Sequence, residues 1–409
     1  MSRSQALPNQ RLGPRPLALH LALAGGLWLG AVGALPAARS RLIDWNRDLA
    51  GRARAIEPAL AAADPGALGR AVADEARHRF ERMLAGIRGY RAHPYRRAEP
   101  DHAIAWQQGT TRLLDCAPAG DHRRPLLLVP SLVNRAYILD LAPRRSLVRF
   151  LARRGFRPLL VDWGAPGPAE RDFALADYLA RLEVMVDMVA RRHNRRVAVI
   201  GYCMGGTLAV ALAQRRRRLL STLVLLAAPW DFHLEQDHAG HAMRLLRPAI
   251  EAILDHAGEL PVDVLQSFFA LAQPTQAAVK FADFGALDPS SAKAQAFVQV
   301  EDWLNDGVPL AAKAARECLF GWYGDNAPAN GRWRIGRAFV RPERMTLPSL
   351  VVVPRRDRIV PRSAAMPLAE AIPGAKVLTP RSGHIGMVVG RHARADLWRP
   401  LADWLDRHA

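Results

Sequence analysis

The chain has 409 residues, 50% of them hydrophobic, enough to bury a large core and to exclude wholesale disorder. Its 57 lysines and arginines outnumber 38 acidic residues, for a formal charge of +19. Such a surface attracts polyanions, but zinc-finger spacing, an RNP-type aromatic motif and a long basic run are all missing, so no nucleic-acid partner is expected. Cys116, Cys203 and Cys318 lie far apart with no CxxC pair. That argues against structural zinc and disulfides, and for a reducing, cytoplasmic setting.

The first element is Leu17–Ala38, an apolar stretch behind Arg3, Arg11 and Arg15 that reads literally as a signal peptide or short membrane anchor. Its exit, Ala34-Leu-Pro-Ala-Ala-Arg39, is no A-x-A cleavage site, and its glycines and Pro36 weaken a spanning helix. The expectation is a helix lying on an apolar surface or packing on the protein's own core, with membrane association through residues 17–38 as the alternative. Residues 1–95 read as a helical N-terminal region. Leu60–Leu84 is alanine-rich with i/i+4 patterning, and Pro94 and Pro100 punctuate its end.

From Arg112 the pattern changes. Strands are expected at Pro125–Val129, Arg157–Trp163, Arg196–Gly201, Thr222–Ala228, Ser349–Val353 and Lys376–Leu378. Helices are expected at Ser146–Arg154, Leu175–Arg192, Gly206–Arg217 and Ser363–Ala371. Continuous apolar strands alternating with helices predict an α/β fold, a mostly parallel sheet with helices on both faces. The alternation breaks over residues 233–346, whose mostly helical patterning predicts a cap over the carboxyl ends of the strands. The sheet domain is accordingly divided into 96–232 and 347–409.

The sharpest chemical signal is Gly201-Tyr202-Cys203-Met204-Gly205-Gly206, directly after an expected strand and opening an expected helix. G-x-S-x-G in that position is the nucleophile elbow of the α/β-hydrolase fold, here with cysteine for serine. The plainer reading is a buried structural cysteine beside a glycine turn. Two later features outweigh it. Asp357 follows the fifth expected strand and His384 the sixth, so the order is nucleophile, acid, histidine, as this fold requires. In this reading His384 takes the thiol proton of Cys203, and Asp357 holds the imidazole tautomer. The oxyanion meets the backbone N–H of Met204 and, from the Ser131–Val133 loop, that of Val133. Asp231 is read as shaping the entry to the cap, with a second active-site carboxylate as the alternative, and Trp163, Trp230, Trp303 and Trp322 as packing residues. His233, His238 and His241 cluster, but their spacing suggests no metal site.

These motifs in order resemble the polyhydroxyalkanoate synthases over roughly residues 100–405. The resemblance rests on Leu126-Leu-Leu-Val-Pro-Ser-Leu-Val-Asn-Arg-Ala-Tyr-Ile-Leu-Asp-Leu141, Arg145-Ser-Leu-Val148, Val161-Asp-Trp-Gly164 and the Gly201–Thr207 elbow. It continues in Trp230-Asp-Phe-His233, Asp357-Arg-Ile-Val-Pro361 and Ser382-Gly-His-Ile-Gly-Met387. The Val-Asp-Trp-Gly and His-Ile-Gly-Met segments are most similar to the two-subunit (class III) synthases, and the elbow to the single-subunit kind. The region before residue 100 matches neither class.

The resemblance implies an acyltransferase in which an (R)-3-hydroxyacyl-coenzyme A acylates Cys203, with coenzyme A a substrate and no separate cofactor or metal. The next hydroxyl, activated by His384, then attacks the thioester and lengthens a polyester. It also implies a cap gating a substrate channel, a place at a polyester granule surface in the cytoplasm, and a second synthase subunit or a homodimer. The competing reading within enzymes is a thioesterase, esterase or polyester depolymerase using the same triad with water as acceptor. The competing reading outside them is a granule- or membrane-bound protein that keeps the fold without turnover.

Overall fold

In the computed structural model residues 11–117, 124–233 and 238–409 are described, so Arg3 and the side chain of His238 lie outside the described residues. The main sheet has eight strands. An antiparallel hairpin, β1 (Ala103–Gln108) and β2 (Thr111–Asp115), is followed by β3 (Arg124–Val129), β4 (Phe156–Asp162), β5 (Val197–Tyr202), β6 (Leu220–Leu226), β7 (Ser349–Val352) and β8 (Lys376–Leu378). Their spatial order is β1-β2-β4-β3-β5-β6-β7-β8. All neighbours from β4 onward are parallel, while β2 runs antiparallel to β1 and β4. This is the expected α/β arrangement.

The central strands β3 and β5 are buried along their length, with only Arg124 half-buried, which is why they read as unbroken apolar runs. The hairpin is an addition to the expected strands. Its β1 is exposed at both ends, and β2 alternates between buried and uncovered positions, the period-two signature of a sheet edge. Strand β6 ends before the expected Ala228 because Ala227 adopts a positive φ of 45°, which breaks the extended backbone.

The helices between strands carry their own stop and start signals. Ser146 Oγ accepts the Arg149 N–H (2.9 Å) and opens helix Leu147–Arg153. The Asp177 carboxylate reaches back to the Ala174 N–H (2.8 Å) at the start of helix Leu175–His193, and left-handed Asn194 ends it. A closing helix, Arg399–His408, was not among the expected elements.

The chain divides into two compact units. One joins the residues up to Arg96 with Gln266–Asn305; the other joins Arg97–Leu265 with Asp306–Ala409 and contains the whole sheet. The 233–346 insertion therefore contributes to both. In the first unit helix Leu17–Gly33 borders a core of Met83, Ile87, Tyr90, Phe281, Phe284 and Val298, with Ala24 buried in it. Packing on the protein's own core, one of the two expected roles of the apolar segment, is thus what one face of this helix does, while Leu27 and Leu29 stay exposed. Helices Pro65–Ala92 and Gln276–Gly285 meet so closely that a Cβ on Gly86 would lie 1.8 Å from Phe281 O. Among the described residues no helix is long and apolar enough to cross a membrane.

In the second unit Asp140 is 2% exposed, accepts from Arg149 Nε (2.8 Å) and lies 2.8 Å from His102 Nε2. Burial pushes its carboxyl up, but hydrogen bonds from His102, Arg149 and Ser146 outweigh it and hold the group well below the usual carboxylate range. A depressed acid contributes stability that is present above its unfolded value, near 3.8, and is lost as pH falls toward its native one. The stability gap between wild type and Asp140→Asn, read from urea midpoints, is therefore expected to narrow as pH drops below about 4. A gap constant between neutral pH and pH 3 would refute this assignment.

Candidate active site

Cys203 occupies the turn between β5 and helix Met204–Arg216, at φ 55° and ψ −126°, backbone angles that L-residues rarely adopt. Three hydrogen bonds hold it there. Its N–H donates to Leu226 O (2.9 Å), and its carbonyl accepts from the N–H groups of Gly206 (2.8 Å) and Thr207 (3.3 Å). The flanking glycines are obligatory. A Cβ on Gly201 would lie 2.5 Å from Gly206 Cα, one on Gly205 2.2 Å from Val129 O, and one on Gly206 2.6 Å from Ala228 Cβ. Thr207 Oγ1 donates to Pro229 O (2.9 Å), tying the elbow helix to the segment after β6.

The loops after β7 and β8 bring the other two residues together. His384 Nδ1 lies 2.7 Å from Asp357 Oδ2, both side chains being buried. The second carboxylate oxygen of Asp357 accepts the N–H groups of Ile359 (2.9 Å) and Val360 (2.8 Å), so the carboxylate cannot turn away from the imidazole. Cys203 is the other ionisable neighbour of His384. Burial works against its protonated form, but the neighbouring Cys203 and Asp357 outweigh burial and push the imidazole up to about 10. The three residues that sequence reasoning singled out are thus neighbours, with His384 and Asp357 directly paired.

Tyr202, the variable residue of the elbow motif, was not singled out. Its ring stacks on the His384 imidazole with centroids 5.0 Å apart. Burial, then Cys203 and Asp357, raise its phenol well above the ordinary value, so it is a neutral wall. Of the expected oxyanion donors, Met204 opens the elbow helix, where its N–H has no intrahelical acceptor. The Val133 N–H makes a long 3.5 Å contact to Ser131 Oγ, and its carbonyl accepts from Val308 N–H (3.0 Å).

Asp231 accepts from Asn326 Nδ2 (2.8 Å) and from the His233 N–H (3.0 Å), while Asn326 Oδ1 accepts the Phe232 N–H (3.0 Å). Asn326 therefore clamps the segment after β6, and the distance between these residues in the chain left no signal of it. Trp163, Trp230, Trp303 and Trp322 are buried packing residues. His233 Nε2 lies 3.2 Å from Tyr323 O, and among the described residues no three metal-type ligands converge.

Residues 124–390 match the family described as the alpha/beta hydrolase fold, the class that this sheet and elbow define. The chain is also 32% identical over 289 residues to the poly(3-hydroxyalkanoate) polymerase subunit PhaC of Haloferax mediterranei, a match covering 68% of this chain and 58% of that protein. It is 31% identical to the same-named subunit of Haloarcula marismortui (68% and 60% covered) and 31% identical to that of Synechocystis sp. (69% and 77% covered). The chain thus spans about three fifths of the two haloarchaeal relatives and about three quarters of the cyanobacterial one. It belongs to the poly(3-hydroxyalkanoate) polymerase family, as its motifs led one to expect.

If His384 takes the Cys203 thiol proton as expected from the sequence, His384→Ala should slow alkylation of Cys203 by iodoacetamide at pH 7 at least tenfold. Mass mapping of the modified peptide gives the rate. Equal rates in wild type and variant would separate the two side chains functionally.

Proposed function

We propose that the chain polymerises (R)-3-hydroxyacyl-coenzyme A through a covalent acyl intermediate on Cys203. The observation that carries this reading is the hydrogen-bonded pair His384–Asp357 beside Cys203, at a strained elbow, in a chain of the polymerase family. In the first half-reaction the Cys203 thiolate attacks the thioester carbonyl. The carbon–sulfur bond to coenzyme A breaks, the leaving thiolate takes the proton of His384, and coenzyme A departs as the free thiol. His384 is then neutral. It takes the proton of the hydroxyl of another acyl unit, whose oxygen attacks the Cys203 thioester. An ester forms, Cys203 leaves as thiolate, and the starting pair with protonated His384 is restored. Met204 N–H, joined by Val133 N–H once its long contact to Ser131 is exchanged, faces the developing oxyanion.

The polyester granule is the surface we assign to this chain in the cytoplasm, and the exposed Leu27 and Leu29 of an otherwise apolar helix support it. A second synthase subunit is the proposed partner, since the relatives above are each named as a subunit. A homodimer is the alternative.

The test gives purified protein (R)-3-hydroxybutyryl-coenzyme A and follows free coenzyme A and insoluble polyester together. Both should rise in wild type, and both should fall at least about 1,000-fold in Cys203→Ala. Coenzyme A release with only free hydroxy acid would make the chain a thioesterase. Full activity in Cys203→Ala would overturn the mechanism.

A further inference from the structure

The loops that deliver Asp357 and His384 also build a pocket that the acyl chemistry does not use. It opens at the surface with a volume of about 320 Å³ and is lined by Arg355, Thr379, Pro380, Arg381 and Asp396. Its walls are fixed by the backbone, because Arg355 N–H donates to Pro380 O (2.8 Å) and Arg356 N–H to Ser382 O (3.2 Å). The two guanidiniums are little committed. Arg381 lies 3.9 Å from Asp396, at the limit of an ion pair, with its side chain 82% exposed, and Arg355 has no acidic partner among the described residues. More cations stand nearby in the chain, Arg356 and Arg358 after β7 with Arg362 opening the next helix, and Arg391 and Arg394 beyond helix Gly386–Val389. The one acid among the first group, Asp357, is consumed by His384, Ile359 and Val360.

Position adds to charge. Strands β5, β6, β7 and β8 are consecutive and parallel, so Cys203, Arg355 and Thr379 all follow carboxyl ends along one edge of the sheet. At about 4.8 Å between neighbours, β7 stands roughly 10 Å and β8 roughly 14 Å from β5. That separation suits a ligand with its reactive sulfur at Cys203 and its anionic end in the pocket. Guanidiniums with a hydroxyl beside them favour phosphate, which they bind through paired hydrogen bonds.

We propose that this pocket holds the nucleotide phosphates of coenzyme A, so that the pantetheine arm runs along the strand ends from Arg355 and Arg381 to Cys203. The inference rests on the acyl-coenzyme A reading above, and its test has one arm independent of turnover. In calorimetry, adenosine 3′,5′-bisphosphate should bind wild type saturably, bind Arg355→Glu/Arg381→Glu at least tenfold more weakly, and bind Arg355→Lys/Arg381→Lys nearly as well as wild type. No binding to wild type, or equal binding to the Glu double variant with its circular dichroism unchanged, overturns the site whatever the activity. In the kinetic arm the Glu double variant should raise the KM for 3-hydroxybutyryl-coenzyme A about tenfold, and that for phosphate-free 3-hydroxybutyryl-pantetheine less than twofold. Equal shifts for both thioesters would also overturn the site. Loss of thiol release from both thioesters in wild type, with bisphosphate binding intact, would instead overturn the proposed function.

Discussion

Everything at the candidate site depends on how closely β5 can approach the helix that follows it. At Gly201, Gly205 and Gly206 the backbones and side chains of neighbouring elements occupy the space where a Cβ would go. The chain can reverse there only by forcing Cys203 into a backbone region that costs on the order of 1–3 kcal/mol for a residue with a side chain. Hydrogen bonds on both sides of the turn, to Leu226 O and from the N–H groups of Gly206 and Thr207, hold the reversal in place. The result is a sulfur lifted off the sheet edge at the first turn of a helix, where partial positive charge gathers.

That constraint decides where the acid and the base must come from. With β6, β7 and β8 laid down in order beside β5, loops leaving β7 and β8 reach the same edge, and His384 lands between Cys203 and Asp357. A buried imidazolium is ordinarily unfavourable. Here the neighbouring Cys203 and Asp357 favour the protonated form against burial, and Tyr202 closes one face of the ring. The arginines of the same loops stay outside this trio, so the site pairs a shielded interior with a cationic rim.

Much of this was legible in the sequence because the physics is local. A central parallel strand must be apolar on both faces, and a turn this tight must be glycine-rich, so β3, β5 and the elbow announce themselves. The hairpin β1–β2 escaped because an edge strand such as Ala103–Gln108 can expose its ends and needs no apolar run. Ala227 escaped because alanine carries no signal for the positive φ it adopts. Tyr202 and Asn326 act through partners far away in the chain, His384 and Asp231, which no spacing rule connects. The insertion read as one block because its helical patterning is continuous, yet its helices Gln276–Gly285 and Ala292–Asn305 belong with the N-terminal unit.

The last of these has a bearing on how the protein is made. Ala24 and its neighbours in the apolar N-terminal helix are covered in part by Phe281, Phe284 and Val298. At about 5–20 residues per second, the ribosome delivers those partners roughly 12 to 53 seconds after the helix itself. For that interval the apolar helix has only Met83, Ile87 and Tyr90 of that core to pack against. The unit that holds this helix thus closes only after helices Gln276–Gly285 and Ala292–Asn305 are made.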